Sequence, residues 1–184
     1  MSKARQIYYH ALLGAIGGLL AWQIVGLFAT GSWPLTAANA FIGAGVGLLI
    51  GFTTGAADGV IHKRALRPAL VGGVKGALIG LVSGAVGMVL GGLLFVLSGG
   101  GLQGRLLGWV LLGLGDGLVA RSPRRASYSA LGGTVAGAVG GLLYELMTQI
   151  IAHQAADTAS MNSAQMILSA LGLILIGACL GGLI

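Results

Sequence analysis

Five ionisable residues, Asp58, Lys75, Arg105, Asp116 and Glu145, fall inside or at the edge of long apolar stretches of this 184-residue chain. An ionisable side chain among apolar neighbours is costly, so it faces protein or a water-filled cavity. There it can lock two helices together as an ion pair, or carry an ion or a proton. At 1.5 Å per residue from the helix ends predicted below, Asp58 and Asp116 lie about 7 Å from one end and Lys75 about 9 Å from it. That shared level predicts a pair of Lys75 with Asp116 or Asp58, and a second pair of Arg105 with Glu145 near the opposite face. In one reading the pairs fix helix register, with Lys75 also free to snorkel; in the other, Asp58 and Asp116 form part of a polar path for an ion or proton.

Other chemistry finds little material. His10 and His62 belong to one side of the predicted arrangement and His153 to the other, so the three cannot share a metal. SGGGLQG contains GxGxxG at residues 99–104, but it joins two apolar stretches instead of following a soluble strand, and GGVKGALIG lacks the GK[ST] ending of a phosphate loop. No Ser, His and acid triad falls on one face. Cys179, the single cysteine, excludes an intrachain disulfide. The expectation is no catalytic residue, no cofactor, no metal and no enzyme.

The elements that must position these residues follow from composition. Only 8% of residues are charged and 56% are hydrophobic, against about 25% charged in an ordinary soluble domain, and the mean hydropathy is +0.95. Ten Lys and Arg with four Asp and Glu cannot cover a soluble surface. Six apolar stretches are long enough to span a bilayer: Ile7 to Ala29, Leu35 to Ile61, Ala69 to Leu97, Leu102 to Ala120, Ser127 to Ile151 and Gln165 to Ile184. With both termini cytoplasmic, Lys3, Arg5, Lys63, Arg64, Arg67, Arg121, Arg124 and Arg125 face the cytoplasm and only Arg105 lies near the outer side. The apolar run after Lys3 and Arg5 is too long for a secretory signal and reads as a retained span. Net charge of +6 therefore reports topology, with the lipid bilayer and its anionic headgroups as partners of the basic loops and no nucleic acid implied.

Glycine spacing says how such helices would pack. Glycine recurs every fourth residue at Gly43, Gly47, Gly51, Gly55 and Gly59, then at Gly72, Gly76, Gly80 and Gly84, and at Gly133, Gly137 and Gly141. Residues four apart stack on one helix face, so each run is a groove that admits another backbone. In lipid, burying leucine gives no net drive, and close packing takes over. The spacing predicts a glycine zipper: an all-α, polytopic transmembrane bundle of six helices forming a single domain over residues 1–184. Trp33 at the outer boundary and Tyr8, Tyr9 and Tyr128 at the inner one suit interfacial anchors.

The helix pair occurs three times, over about 1–62, 63–121 and 122–184. Odd spans open with basic or aromatic residues followed by glycines, and even spans close alike: GAADGVIHKR at 55–64, GLGDGLVAR at 113–121 and a worn CLGGLI at the end, which aligns Gly181 with Asp58 and Asp116. Three like-oriented pairs predict a pseudo-threefold about the membrane normal. The glycine-rich pairs, with DGLVARSPRRASYSALGGTVAGAVGGLLYELM at 116–147, resemble poorly characterised bacterial multispanning modules that sometimes accompany forkhead-associated or von Willebrand type A domains. The resemblance covers most of the chain and implies a membrane platform for partner proteins, although no soluble signalling domain is present here. Glycine-packed mitochondrial translocase subunits need Asp four residues after Arg, and no Arg here has it. The expected function is a non-enzymatic inner-membrane scaffold or subunit. It would dock another membrane or cytoplasmic protein through basic loops 62–68 and 121–126, and an oligomer is compatible with it. The alternative is a small ion or proton channel or transporter using the intramembrane Asp residues.

Overall fold

The computed structural model describes residues 2–28, 33–63, 65–99, 102–117 and 158–183, with helical residues scattered from 131 to 149. Gly133, Glu145 and the 121–126 loop lie outside the described residues, as do the side chains of Asp58, His62, Lys63, Arg105 and Asp116. The chain is helical, in six helices. They are α1 (Lys3–Phe28), α2 (Leu35–Asp58), α3 (Leu66–Leu97), α4 (Leu102–Gly117), α5 (helical residues between 131 and 149) and α6 (Thr158–Leu183). Three segments, Lys3–Phe28, Leu35–Ile61 and Leu66–Leu97, are long and apolar enough to cross a membrane.

The ends follow local chemistry. Pro34, which cannot continue a helix backwards through an N–H, precedes α2, and its carbonyl accepts the Ala38 N–H at 2.9 Å. Pro68 sits in the first turn of α3, where a missing N–H costs nothing. Ser98 N–H donates to the Leu94 carbonyl at 2.8 Å, and Gly99, at φ +69°, turns the chain out of α3 in a conformation that side chains resist. Beyond Asp58, α2 widens into a π turn, Gly59–Lys63.

Packing is backbone on backbone. Gly43, Gly47, Gly51 and Gly55 of α2 face Gly84, Gly80, Gly76 and Gly72 of α3, each step of four along one helix matched by a step of four back along the other. A Cβ on Gly43, Gly47 or Gly55, or on Gly72, Gly76 or Gly84, would overlap the facing glycine's carbonyl oxygen. The hydrogen standing there in place of Cβ therefore points at that oxygen. Six such Cα–H···O contacts, at roughly 0.5–1 kcal/mol each, amount to about 3–6 kcal/mol. Gly14 faces Gly177 and Gly18 faces Leu173 in the same way, closing α6 onto α1, and Gly87 and Gly91 meet Gly108 and Gly104 between α3 and α4.

Contacts run in the order α6, α1, α2, α3, α4, and through Gly137 and Gly141, which rest on Trp109, to α5. The even helices α2, α4 and α6 each touch the other two. They supply seven of the eight residues of the central buried cluster: Val46, Ile50, Trp109, Leu112, Leu173, Ile176 and Leu180, joined by Ala21 of α1. The odd helices turn glycines inward and large apolar side chains outward, among them Leu12 and Ile16 of α1, Leu78 and Val82 of α3 and Val135 and Val139 of α5.

The successive hairpins α1–α2 and α3–α4 differ in register. Gly18, which faces α6, adjoins Gly17, which faces Ile50 of its own partner α2. In the second pair Gly76 faces α2, but the glycine facing α4 is Gly87, eleven residues on. Thus α4 is displaced along α3 by about twelve residues, or about 18 Å, relative to α2 on α1. The cause is the turn after Leu97: α3 runs 32 residues before reversing, α1 only 26.

Candidate functional site

The charged candidates do not share a level. Gly59, next to Asp58, meets the backbone of Pro68 and Ala69, whereas Gly115, next to Asp116, meets Ser83. Ser83 is the fourteenth residue after Ala69 along α3, about 21 Å of helix. Asp58 thus belongs to the end of the bundle bearing Lys3, Arg5 and Arg67, and Asp116 lies level with the middle of α3. The common depth expected from the span ends fails because Asp116 is fixed by its distance from the α3–α4 turn, and α3 extends well past the level at which α1 ends. Lys75 lies between, level with Gly51 and Phe52, on the exposed face of α3 beside Val71, Val74, Leu78 and Ile79. No ion pair involves it among the described residues. Helical side chains lean toward the N-terminus, so its stem runs toward Arg67 and the basic end.

The concave feature lies at the opposite end. A cavity of about 670 Å³ opens between the last turns of α1, the first half of α2, the second half of α3, α4 and the first half of α6. Its volume falls within the range of small-molecule sites, roughly 300–1,000 Å³. Trp22, Ile42, Met88, Trp109 and Leu173 make most of its wall apolar, and no charged side chain lines it among the described residues. Glycines shape it: nothing stands within 4 Å of where a Gly26 Cβ would be, and a Cβ on Gly92 would overlap the Asn39 amide. Asn39 therefore fits into the space that Gly92 leaves.

The polar groups are few and neutral. Trp22 Nε1–H donates to Ser169 Oγ at 3.0 Å, tying α1 to α6 across the cavity wall, and Ser169 Oγ–H donates to the Met166 carbonyl at 2.9 Å. The Gln23 and Asn39 amides also line the space and make no hydrogen bond among the described residues. Each offers two donors and one acceptor. The sequence marks these positions only faintly, as single amides at 23 and 39 and a serine at 169 within apolar runs, and no motif joins them.

The remaining features are structural in what they touch. Thr53 and Thr54 return their hydroxyls to carbonyls of their own helix, Thr53 to Ile50 at 3.0 Å and Thr54 to Ile50 at 2.8 Å. Trp33 packs edge-on against Phe41, centroids 5.0 Å apart, bracing the start of α2. No family model, no curated protein and no solved structure matches this chain.

Proposed function

We propose that the chain is a non-enzymatic integral membrane scaffold or subunit of a bacterial cytoplasmic membrane. It crosses the bilayer six times as three helix pairs gathered around α2, α4 and α6, with both termini cytoplasmic. The observation that carries this is the inversion of an ordinary fold: the odd helices turn leucine, isoleucine and valine outward, and the tightest helix contact is glycine on glycine. Soluble monomers seldom expose contiguous apolar patches beyond a few hundred Å². Lipid covers such a surface without penalty, and helices in lipid need close packing.

The triangular contacts of the even helices favour three pairs around one axis. So do the contacts between successive pairs. Aligned on Asp58, Asp116 and Gly181, the residues facing Gly76, Gly137 and Gly18 are Gly51, Trp109 and Leu173, equivalent to within one position. The displacement of α4 makes the threefold one of topology and not of strict rotation. It also weighs against the channel: acids about 21 Å apart along α3 cannot form one ring.

Purified protein in liposomes, together with photocrosslinkers at Ala65 and Ala126, tests the proposal. The expected result is no ion or proton flux, with a crosslinked partner lost when Arg67, Arg121 and Arg124 become Gln. Flux abolished by Asp58→Asn with Asp116→Asn would replace the scaffold with the channel.

A further inference from the structure

We propose that the cavity between α1, α2, α3, α4 and α6 binds an uncharged single-chain amphiphile, an alkyl chain carrying a hydroxyl or ester head of the monoacylglycerol class. The inference does not depend on whether the basic loops hold a partner protein.

The lining selects the chain and the head separately. Trp22, Ile42, Met88, Trp109 and Leu173 offer chiefly dispersion contacts, the Trp22 indole N–H being already committed to Ser169. At the rim the Gln23 and Asn39 amides present both donors and acceptors, a match for a hydroxyl or ester that needs both. Among the described residues no Lys, Arg or His lines the site, so a carboxylate or phosphate head would find no partner in that lining, and a buried charge without a partner is strongly disfavoured. Ser169 is a lesser contributor because its proton is committed to the Met166 carbonyl. Gly92 holds the selectivity in place by giving the Asn39 amide room beside α3.

The site also reports on itself. Of the three tryptophans, Trp22 and Trp109 line the cavity, and Trp33 does not. Full-length Trp33→Phe protein in phosphatidylcholine nanodiscs is titrated with a monoacylglycerol brominated along its chain, and tryptophan quenching is followed. The matching brominated fatty acid at neutral pH and brominated phosphatidylcholine are run in parallel. We expect saturable quenching by the monoacylglycerol, with about tenfold weaker apparent binding of the fatty acid. Gly26→Phe, which grows into open space, should abolish the saturable component, and Asn39→Leu should weaken it about tenfold with the fold intact by circular dichroism. The proposal is overturned by quenching that rises linearly with bromolipid and is equal in both variants, which is bulk lipid contact only. Binding of the fatty acid as tight as that of the monoacylglycerol overturns it too.

Discussion

Replacing Gly47 with alanine should reverse the sign that helix propensity assigns to the change. In an isolated helix alanine is better than glycine by about 1 kcal/mol. At position 47 the new methyl group would occupy the place of the Gly80 carbonyl oxygen, and it would stand 3.3 Å from the Gly84 Cα. The obstacle is backbone, so no rotamer relieves it, and α2 and α3 must part by on the order of 1 Å. A gap of that size forfeits a quarter to a half of each dispersion contact along the interface. Losing half of the six Cα–H···O contacts would remove about 1.5–3 kcal/mol more. Set against the propensity gain, the net loss should be about 2 kcal/mol or greater. Gly26→Ala is the internal control, because the methyl enters open space and the propensity gain of about 1 kcal/mol should stand alone. Gly87→Ala should fall between the two, its Cβ lying 3.0 Å from the Gly108 carbonyl oxygen. Reversible unfolding in mixed micelles with increasing dodecyl sulfate, followed by far-ultraviolet circular dichroism, would rank the three. Gly47→Ala as stable as Gly26→Ala would refute backbone-limited packing of α2 on α3.

The hydrogen bond from Trp22 to Ser169 should appear in a double-mutant cycle. Trp22→Phe and Ser169→Ala each cost about 1 kcal/mol in the same unfolding assay, and the double variant costs little more than the worse single, whereas additive losses would mean that the 3.0 Å contact contributes nothing. At the α3–α4 contact, a Cβ on Gly115 would overlap the Ser83 side chain, so Gly115→Ala should destabilise alone and be largely rescued by Ser83→Gly, which gives up a bond to the Gly80 carbonyl and about 0.5 kcal/mol of helix propensity. Failure of the rescue would place the obstruction elsewhere. Phe41→Leu should cost about 0.5–1.5 kcal/mol beyond its lost area, through the edge-on contact with Trp33, and this excess should vanish in a Trp33→Leu background.

What could be read from the residues, and what could not, divides along the reach of local rules. Glycine every fourth residue from 43 to 59 and from 72 to 84 specifies a face, and a short connection near 64–65 specifies that the two faces run antiparallel; the observed partners Gly43 with Gly84 and Gly55 with Gly72 follow from those two facts. The level of Asp116 does not follow from the edges of the apolar stretches; it needs a count made from the turn at Ser98–Gly99. Hydropathy locates where an apolar stretch begins and ends, but a hairpin's register is set by its turn, and the two differ when one arm is long. Contact of α6 with α1 had no local signature. Gly14, Gly18, Gly177 and Gly181 matched the same spacing as several other pairs, and the choice among them rests on which helices the even-numbered core leaves adjacent.

The cavity was hidden for the opposite reason. Gln23 and Asn39 are too few and too mild to lower the hydropathy of their stretches, so nothing in the sequence sets them apart from their apolar neighbours. Their meaning depends on distance between helices. Where α2 and α3 meet through Gly43 and Gly84 the backbones touch, and only a few residues away, at Asn39 and Gly92, one side chain fills the same kind of gap. Opposite Gly26 nothing fills it. The missing side chains that bring these helices together thus also make the space between them, and the identity of the residue facing each glycine decides which result follows.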